Sequence, residues 1–134
     1  MGMEAKRRSF FNGMAVLLLL VLTGRPACAD GSITPARLSA LHRAYYNDRV
    51  LEYCGLYTWD VHDGFERRVR YLLASADIDT ETNRRIKISG WSDADYQYDD
   101  HGLGGFRRWC ATDGRRAADE FLNFRQKELS GKTE

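Results

Sequence analysis

The sequence predicts an all-α fold, a small bundle of four helices tied by one disulfide bond. Along four stretches of the chain, apolar residues recur at steps of three and four, and no stretch alternates apolar and polar residues over the length of a strand. Cys54 and Cys110 lie 56 positions apart and bracket most of the predicted core. We therefore expect one helical domain with three to five helices, four being favoured.

The first 29 residues have the pattern of a cleaved secretory signal peptide. Basic residues at 6–8 precede an apolar run of nine residues at 14–22, and alanines at 27 and 29 supply the small residues that signal peptidase requires. We expect a single domain over 30–134, located in the periplasm or secreted. An uncleaved anchor fits less well, because nine residues fall well short of the ~20 that span a bilayer. No membrane association is expected after cleavage.

The three cysteines predict one structural disulfide. Cys28 raises the alternative of an acylated lipoprotein signal, but Arg25 stands three residues before it, where such signals usually carry a bulky apolar residue. Cleavage removes Cys28 and leaves Cys54 and Cys110 as an even pair in an oxidising compartment. Their wide spacing favours a structural bond over redox chemistry, and a loop of this size stabilises a fold by roughly 4 kcal/mol in the chain-entropy model.

The charge balance argues against a nucleic-acid-binding protein. The chain contains 20 Lys and Arg and 19 Asp and Glu; the signal peptide takes four of the basic residues and one acidic residue, which leaves 16 and 18. A net charge near −2 lacks the excess of basic residues that phosphate binding requires. The 105 residues left after cleavage suffice for one modest core.

The first helix is predicted from about Pro35 to Cys54. Thr34 can cap its free amides, Pro35 suits its first position, and Gly55 can end it. The polar pair at 47–48 is expected to bend it. Its apolar residues at roughly helical spacing are Leu38, Leu41, Tyr45, Leu51 and Cys54.

The second helix follows a link over 55–58 and is the most regular of the four. Its apolar face repeats at steps of three and four, at Val61, Phe65, Val69, Leu72, Leu73 and Ala76. Most of the opposite side is charged, at Glu66, Arg67, Arg68 and Arg70. Gly64 is expected to weaken the first turn by roughly 1 kcal/mol relative to alanine.

The third helix is predicted to begin near Thr80 or Glu81 and to give way to a flexible loop over 99–105, which contains three glycines. Residues 106–110 would then lead back to the core. The loop separates the third helix from the fourth in this reading.

The fourth helix is predicted to begin at an N-cap formed by Thr112 or Asp113. One of its sides carries Ala117, Ala118, Phe121, Leu122 and Arg125. The polar tail from Gln126 is expected to fray. Like the other three, this helix would bury a single face.

This layout resembles a group of small exported helical proteins of unknown function from alphaproteobacteria. The similarity rests on a Cys-Gly pair at 54–55, the pattern R-V-x-Y-L-L at 68–73, a Gly-Trp pair at 90–91 and the pattern R-x-x-C at 107–110. It covers residues 38–125 by spacing more than by identity, and a stretch rich in Gly and Asp over 93–105 departs from it as an insertion. The resemblance implies the helical fold and no function.

A cluster of polar residues at the start of the second helix offers an enzymatic alternative. Asp60, His62, Asp63 and Glu66 could bind a metal or move protons, and the four-residue step from His62 to Glu66 places both side chains on one face. Helix starts also attract acidic residues for dipole reasons alone, which favours an ordinary helix start. No phosphate-binding, dinucleotide-binding or zinc-protease motif is present, so we predict neither a cofactor nor a metal.

The acidic stretch over 93–101 does not match a calcium-binding EF-hand. Such a loop needs Gly at its sixth position and Glu at its twelfth, and counting from Asp93 these positions hold Tyr98 and Gly104. What remains is a polar, aromatic stretch.

A candidate partner surface flanks that stretch and leads into Cys110. It combines aromatic and basic side chains, which anchor protein interfaces and also suit sugar rings or anionic groups. Its residues are Tyr96, Tyr98, His101, Arg107, Arg108 and Trp109. The competing interpretation is that the rings simply fill the core.

The leading hypothesis is a non-enzymatic periplasmic binding or accessory protein whose partner is a protein, a small molecule or a glycan. The first alternative is a small hydrolase or metal-dependent enzyme that uses the cluster at 60–66. The second is a periplasmic stress chaperone, which a disulfide-tied helical domain could also be. The sequence contains no motif that selects one of the three.

Overall fold

The computed structural model describes residues 33–75 and 77–131, except for the side chain of Leu103. The predicted signal peptide and Ala76 lie outside the described residues. Within them the chain is entirely helical and contains no strand, which confirms the all-α prediction. The elements are α1 (Pro35–Cys54), α2 (Trp59–Ala74), α3 (Thr80–Trp109), a π-helical turn (Cys110–Gly114) and α4 (Arg115–Leu129). α1 packs mainly on α3, and α2 on α4.

The first helix has the predicted ends. The side chain of Thr34 accepts a hydrogen bond from the amide of Arg37, and Gly55 ends the helix in a left-handed conformation with φ 62°. The helix runs through residues 47–48 without interruption. Asn47 and Asp48 are buried and make hydrogen bonds to other elements.

Gly64 and Gly90 allow two close helix crossings. A Cβ atom on Gly64 would lie 2.3 Å from the carbonyl oxygen of Phe121 in α4, and one on Gly90 would lie 2.7 Å from the carbonyl oxygen of His42 in α1. Both glycines therefore let backbones approach more closely than a side chain would permit. From the sequence, we had expected only that Gly64 lowers the stability of the helix.

The flexible loop predicted over 99–105 is wrong. α3 continues to Trp109, and the only residue with a non-helical conformation inside it is Gly102, with φ 53° and ψ −169°. This conformation makes a kink at which two helical segments of α3 meet. The rings of Tyr98, Phe106 and Trp109 pack against each other and hold the segment after the kink.

The N-cap predicted at Thr112 or Asp113 is also wrong. The chain stays helical through the π-helical turn into α4, so no free first turn is left to cap, and the Thr112 hydroxyl donates to the carbonyl of Arg108 at 3.0 Å. The fraying expected from Gln126 stays a prediction. α4 continues to Leu129, and Glu128 binds Arg67 of α2 at 2.7 Å.

The buried side chains form two clusters. The larger joins α1, α2 and α4, and partly buried residues of α3 pack against it. It contains Leu41, Ala44, Tyr45, Leu51, Val61, Leu72, Ala117 and Phe121. The smaller lies between α1 and the second half of α3, and contains Val50, Ala94 and Trp109. The Cys54–Cys110 disulfide, with 5.3 Å between its Cα atoms, borders the smaller cluster and confirms the predicted pairing. No helix in 33–75 or 77–131 is long and apolar enough to cross a bilayer.

Candidate functional site

The residues of the candidate partner surface divide into exposed and buried members. The Tyr96 side chain is 67% exposed and that of Tyr98 is 37% exposed, while Arg107 and Arg108 also face solvent. Trp109 is only 4% exposed and belongs to the smaller core cluster, so it supports the surface from beneath and cannot contact a partner.

Histidine 101 is half-buried against that core. Its ring lies 5.3 Å from the ring of Trp109, and its side chain covers the side of Gly105. His101 therefore links the exposed face of α3 to the tryptophan below it. The surface that remains available to a partner is built mainly by the tyrosines and arginines.

Tyr98 is held in place by a stack of rings. Its ring lies parallel to that of Tyr53 in α1, with centroids 4.1 Å apart and planes 9° apart, and meets Phe106 edge-on at 5.4 Å and 89°. The Tyr53 hydroxyl donates to Asp95 at 2.6 Å, and Arg49 binds the same carboxylate at 2.9 Å. Aromatic pairs in these geometries are favourable beyond the area they bury.

A cleft of 370 Å³ opens beside this stack, at the kink in α3. Its walls are formed by Tyr98, Asp99, Gly102 and Phe106. A Cβ atom on Gly102 would meet no atom within 4 Å, so the missing side chain leaves open space at the kink. The cleft lies within the segment that the sequence had suggested as a flexible loop.

The carboxylates of residues 93–99 differ in the partners that they contact. Burial acts to raise the pKa of Asp95, but hydrogen bonds from Arg49 and Tyr53 outweigh it and hold that pKa below its usual value. Asp93 lies 3.0 Å from His42. Asp99, which lines the cleft, is exposed and has no ion pair or hydrogen bond among the described residues.

The structure separates the polar cluster predicted at the start of α2 into two groups. Asp60 and Asp63 face α4, where Arg125 binds them at 3.1 and 2.7 Å, and Arg67 also binds Asp63 at 2.9 Å. Hydrogen bonds from Arg125 and Arg67 lower the pKa of Asp63. These two carboxylates are engaged in tying α2 to α4.

His62 and Glu66 belong to the second group. The Nε2 atom of His62 lies 3.4 Å from Glu66, and its Nδ1 atom lies 3.2 Å from the hydroxyl of Tyr57. The Tyr57 hydroxyl makes a short hydrogen bond to Asp48, which also accepts one from the Trp91 indole at 3.2 Å. The chain of contacts thus leads from an exposed histidine to a buried carboxylate.

Asp48 is the polar residue that sequence reasoning misinterpreted. Only 4% of it is exposed, and burial raises its pKa despite the hydrogen bonds from Tyr57 and Trp91. Burial and the contact with Asp48 also raise the pKa of Tyr57. The signal was its register, because Asp48 stands three residues from both Tyr45 and Leu51 on the apolar face of α1.

Among residues 33–75 and 77–131, no group of three or more His, Cys, Asp or Glu side chains is placed to hold a metal ion. Comparisons with protein-family models, curated proteins and solved structures found no match to this chain. Function is therefore inferred from the geometry of the cleft at Gly102 and of the polar cluster at the start of α2.

The low pKa of Asp63 predicts a loss of stability in acid. Because its folded pKa lies below its unfolded value, the stabilisation is complete above about pH 4 and is lost as pH falls through the folded pKa. We expect Asp63→Asn to reduce the difference in free energy of unfolding between pH 7 and pH 3, measured by urea denaturation. Asp100→Asn, an exposed carboxylate without a partner among the described residues, should leave that difference unchanged. Equal effects of the two variants would contradict the prediction.

Proposed function

We propose that the chain is an exported, non-enzymatic binding or accessory protein that acts in the periplasm or outside the cell. Its binding surface, which we name the Tyr98 surface, comprises Tyr98, Asp99 and Phe106 at the cleft and the exposed Tyr96, Arg107 and Arg108 around the same helix. The observation that carries the proposal is the cleft at the kink of α3, where Tyr98 and Phe106 form walls and Gly102 leaves open space. The signal-peptide pattern of residues 1–29 and the disulfide support export.

Rigidity supports the assignment of this surface. Tyr98 is fixed by its stack on Tyr53 of α1, and the Cys54–Cys110 bond joins the end of α1 to the end of α3. A preorganised surface loses less conformational entropy when it binds a partner. Exposed tyrosines on a rigid helix are therefore suited to recognition.

The enzymatic alternative has weaker support. An acid/base pair of carboxylates would need Asp60 and Asp63 free to exchange protons, and Arg125 binds both of them. His62 keeps an exposed ring, but the contacts of that ring lead inward through Tyr57 to a buried carboxylate. This arrangement fits a structural network that joins α1 to α2.

A capture experiment tests the proposal. The double variant Tyr96→Ala, Arg107→Ala removes two exposed side chains, so it should keep the fold and lose partners that the immobilised wild-type domain retains from a periplasmic extract. Ile88→Ala, which truncates an exposed residue of the first half of α3, is the matched control and should retain them. Mass spectrometry of the retained proteins gives the comparison, with thermal denaturation as the check on folding. Identical capture by wild type and double variant would refute the proposed surface.

A further inference from the structure

We infer that the cleft at Gly102 binds a small quaternary ammonium compound, held in the corner formed by the rings of Tyr98 and Phe106 and beside the carboxylate of Asp99. The inference rests on the proposed function, because it gives the Tyr98 surface a ligand class. It concerns a small molecule, so it can fail while the surface still binds a protein partner.

The shape of the cleft comes from the kink in α3. Tyr98 precedes the kink and Phe106 follows it, each four residues from Gly102, and all three line the cleft. Gly102 leaves open space at the kink, and the two rings are in edge-on contact at 89°, so they form two walls of a corner. Its volume of 370 Å³ is at the lower end of the ~300–1,000 Å³ usual for ligand pockets.

The chemistry of the walls favours an alkylated cation. The faces of aromatic rings attract cations, and quaternary ammonium groups are recognised in this way because their methyl groups also suit an apolar wall. Asp99 adds a negative charge at the edge of the cleft that no ion pair in the described part of the chain neutralises. A hydrated metal ion would gain little from the two rings.

Tyr98 and Phe106 have no cation of their own among the described residues, unlike Tyr45, Tyr53, Trp59, Tyr71, Trp91 and Phe124. Elsewhere in the described part of the chain, rings are covered by the protein's cations, 4.3 to 6.0 Å from the ring centroid, and these cations are Arg49, Arg68, Lys87 and Arg125. None of the Arg or Lys residues described in 33–75 and 77–131 lies in this way over Tyr98 or Phe106. A ligand cation would complete an arrangement that the protein uses repeatedly.

The basic residues that follow Phe106 in sequence lie on other sides of the helix than the cleft. Arg107 and Arg108 follow Phe106 by one and two positions, which places them about 100° and 200° around the axis. Arg49 is bound to Asp95 and Glu52. Of the charged residues adjacent in sequence to the two rings, Asp99 lines the cleft and Arg107 does not.

Calorimetric titration with choline, with 3,3-dimethylbutan-1-ol and with methyl glucoside tests the role of charge. The alcohol has the size and shape of choline but carries no charge. We expect choline to bind and the alcohol to bind about tenfold more weakly, which corresponds to about 1.4 kcal/mol, within the range of a desolvated cation–π contact. Equal binding of the two compounds, tighter binding of methyl glucoside, or no binding of choline would each overturn the inference.

Two neighbouring carboxylates provide the matched variants. Asp99→Asn should weaken choline binding several-fold, whereas Asp100→Asn changes the net charge equally one residue further along and should leave it unchanged. Phe106→Leu, which keeps an apolar side chain and removes the ring, should also weaken it, with circular dichroism confirming the helical fold. Equal effects of the two Asp variants would mean that choline responds only to overall charge, and would overturn the site. Partner capture that depends on Tyr96 and Arg107, without choline binding, would overturn this inference and leave the proposed function standing.

Discussion

Loss of the disulfide is expected to lower the free energy of unfolding by about 4 kcal/mol. The bond closes a loop of 56 residues, which reduces the conformational entropy of the unfolded chain. Removing the bond restores that entropy and so stabilises the unfolded state. For a domain whose total stability is about 5–15 kcal/mol, this is a large share. The double variant Cys54→Ser, Cys110→Ser avoids a stray thiol, and urea denaturation of the mature domain measures the change.

Hydrogen exchange should show which amides lose protection when the disulfide is removed. The disulfide borders the smaller core cluster, which holds α1 against the second half of α3. Amides of 98–109 should therefore lose more protection in the double variant than amides of the α2–α4 pair. Wild-type protein in reductant, which keeps both cysteines, should reproduce the loss. Unchanged denaturation midpoints in both samples would mean that native packing alone determines the fold.

The features predicted correctly from the sequence are those that local chemistry decides. Thr34 caps α1 and Gly55 ends it, as short-range rules require. The apolar repeat of α2 has the regular spacing of a helix that buries one face, and Val61 and Leu72 are indeed buried. The disulfide followed from cysteine number and the predicted compartment.

The features missed are those that tertiary contacts decide. Three glycines near 102–105 argue for a loop on propensity, yet Tyr98 and Phe106 pack their rings across the kink and keep both sides helical. Asp48 looked like a helix-bending residue because its partners Tyr57 and Trp91 lie on other parts of the chain. The cleft could not be foreseen, because it exists only where the helix continues past Gly102.

Gly64→Ala is expected to destabilise the domain by about 2 kcal/mol, although alanine favours helices. The new Cβ would lie 2.3 Å from the carbonyl oxygen of Phe121, which belongs to the backbone and cannot rotate away. α2 and α4 would have to separate, loosening the edge-on contact of Phe65 with Phe121 at 5.5 Å. Overpacking costs of about 1–3 kcal/mol then exceed the helix-propensity gain of at most about 1 kcal/mol.

Gly104→Ala is the matched control, and it should act in the opposite direction. A Cβ atom on Gly104 would meet nothing within 4 Å, and its φ is not positive, so only the propensity gain of up to about 1 kcal/mol remains. Urea denaturation of the two variants measures both signs. If Gly64→Ala proves as stable as Gly104→Ala, the close crossing of α2 and α4 is not as tight as the geometry requires.

Gly90→Ala extends the same reasoning to the proposed binding surface. Its Cβ would lie 2.7 Å from the carbonyl oxygen of His42, so α3 would have to move away from α1. The stack of Tyr98 on Tyr53 joins the same two helices. A glycine without any ligand contact therefore helps to determine where the Tyr98 surface lies, because the crossing it permits brings α3 within reach of the ring on α1.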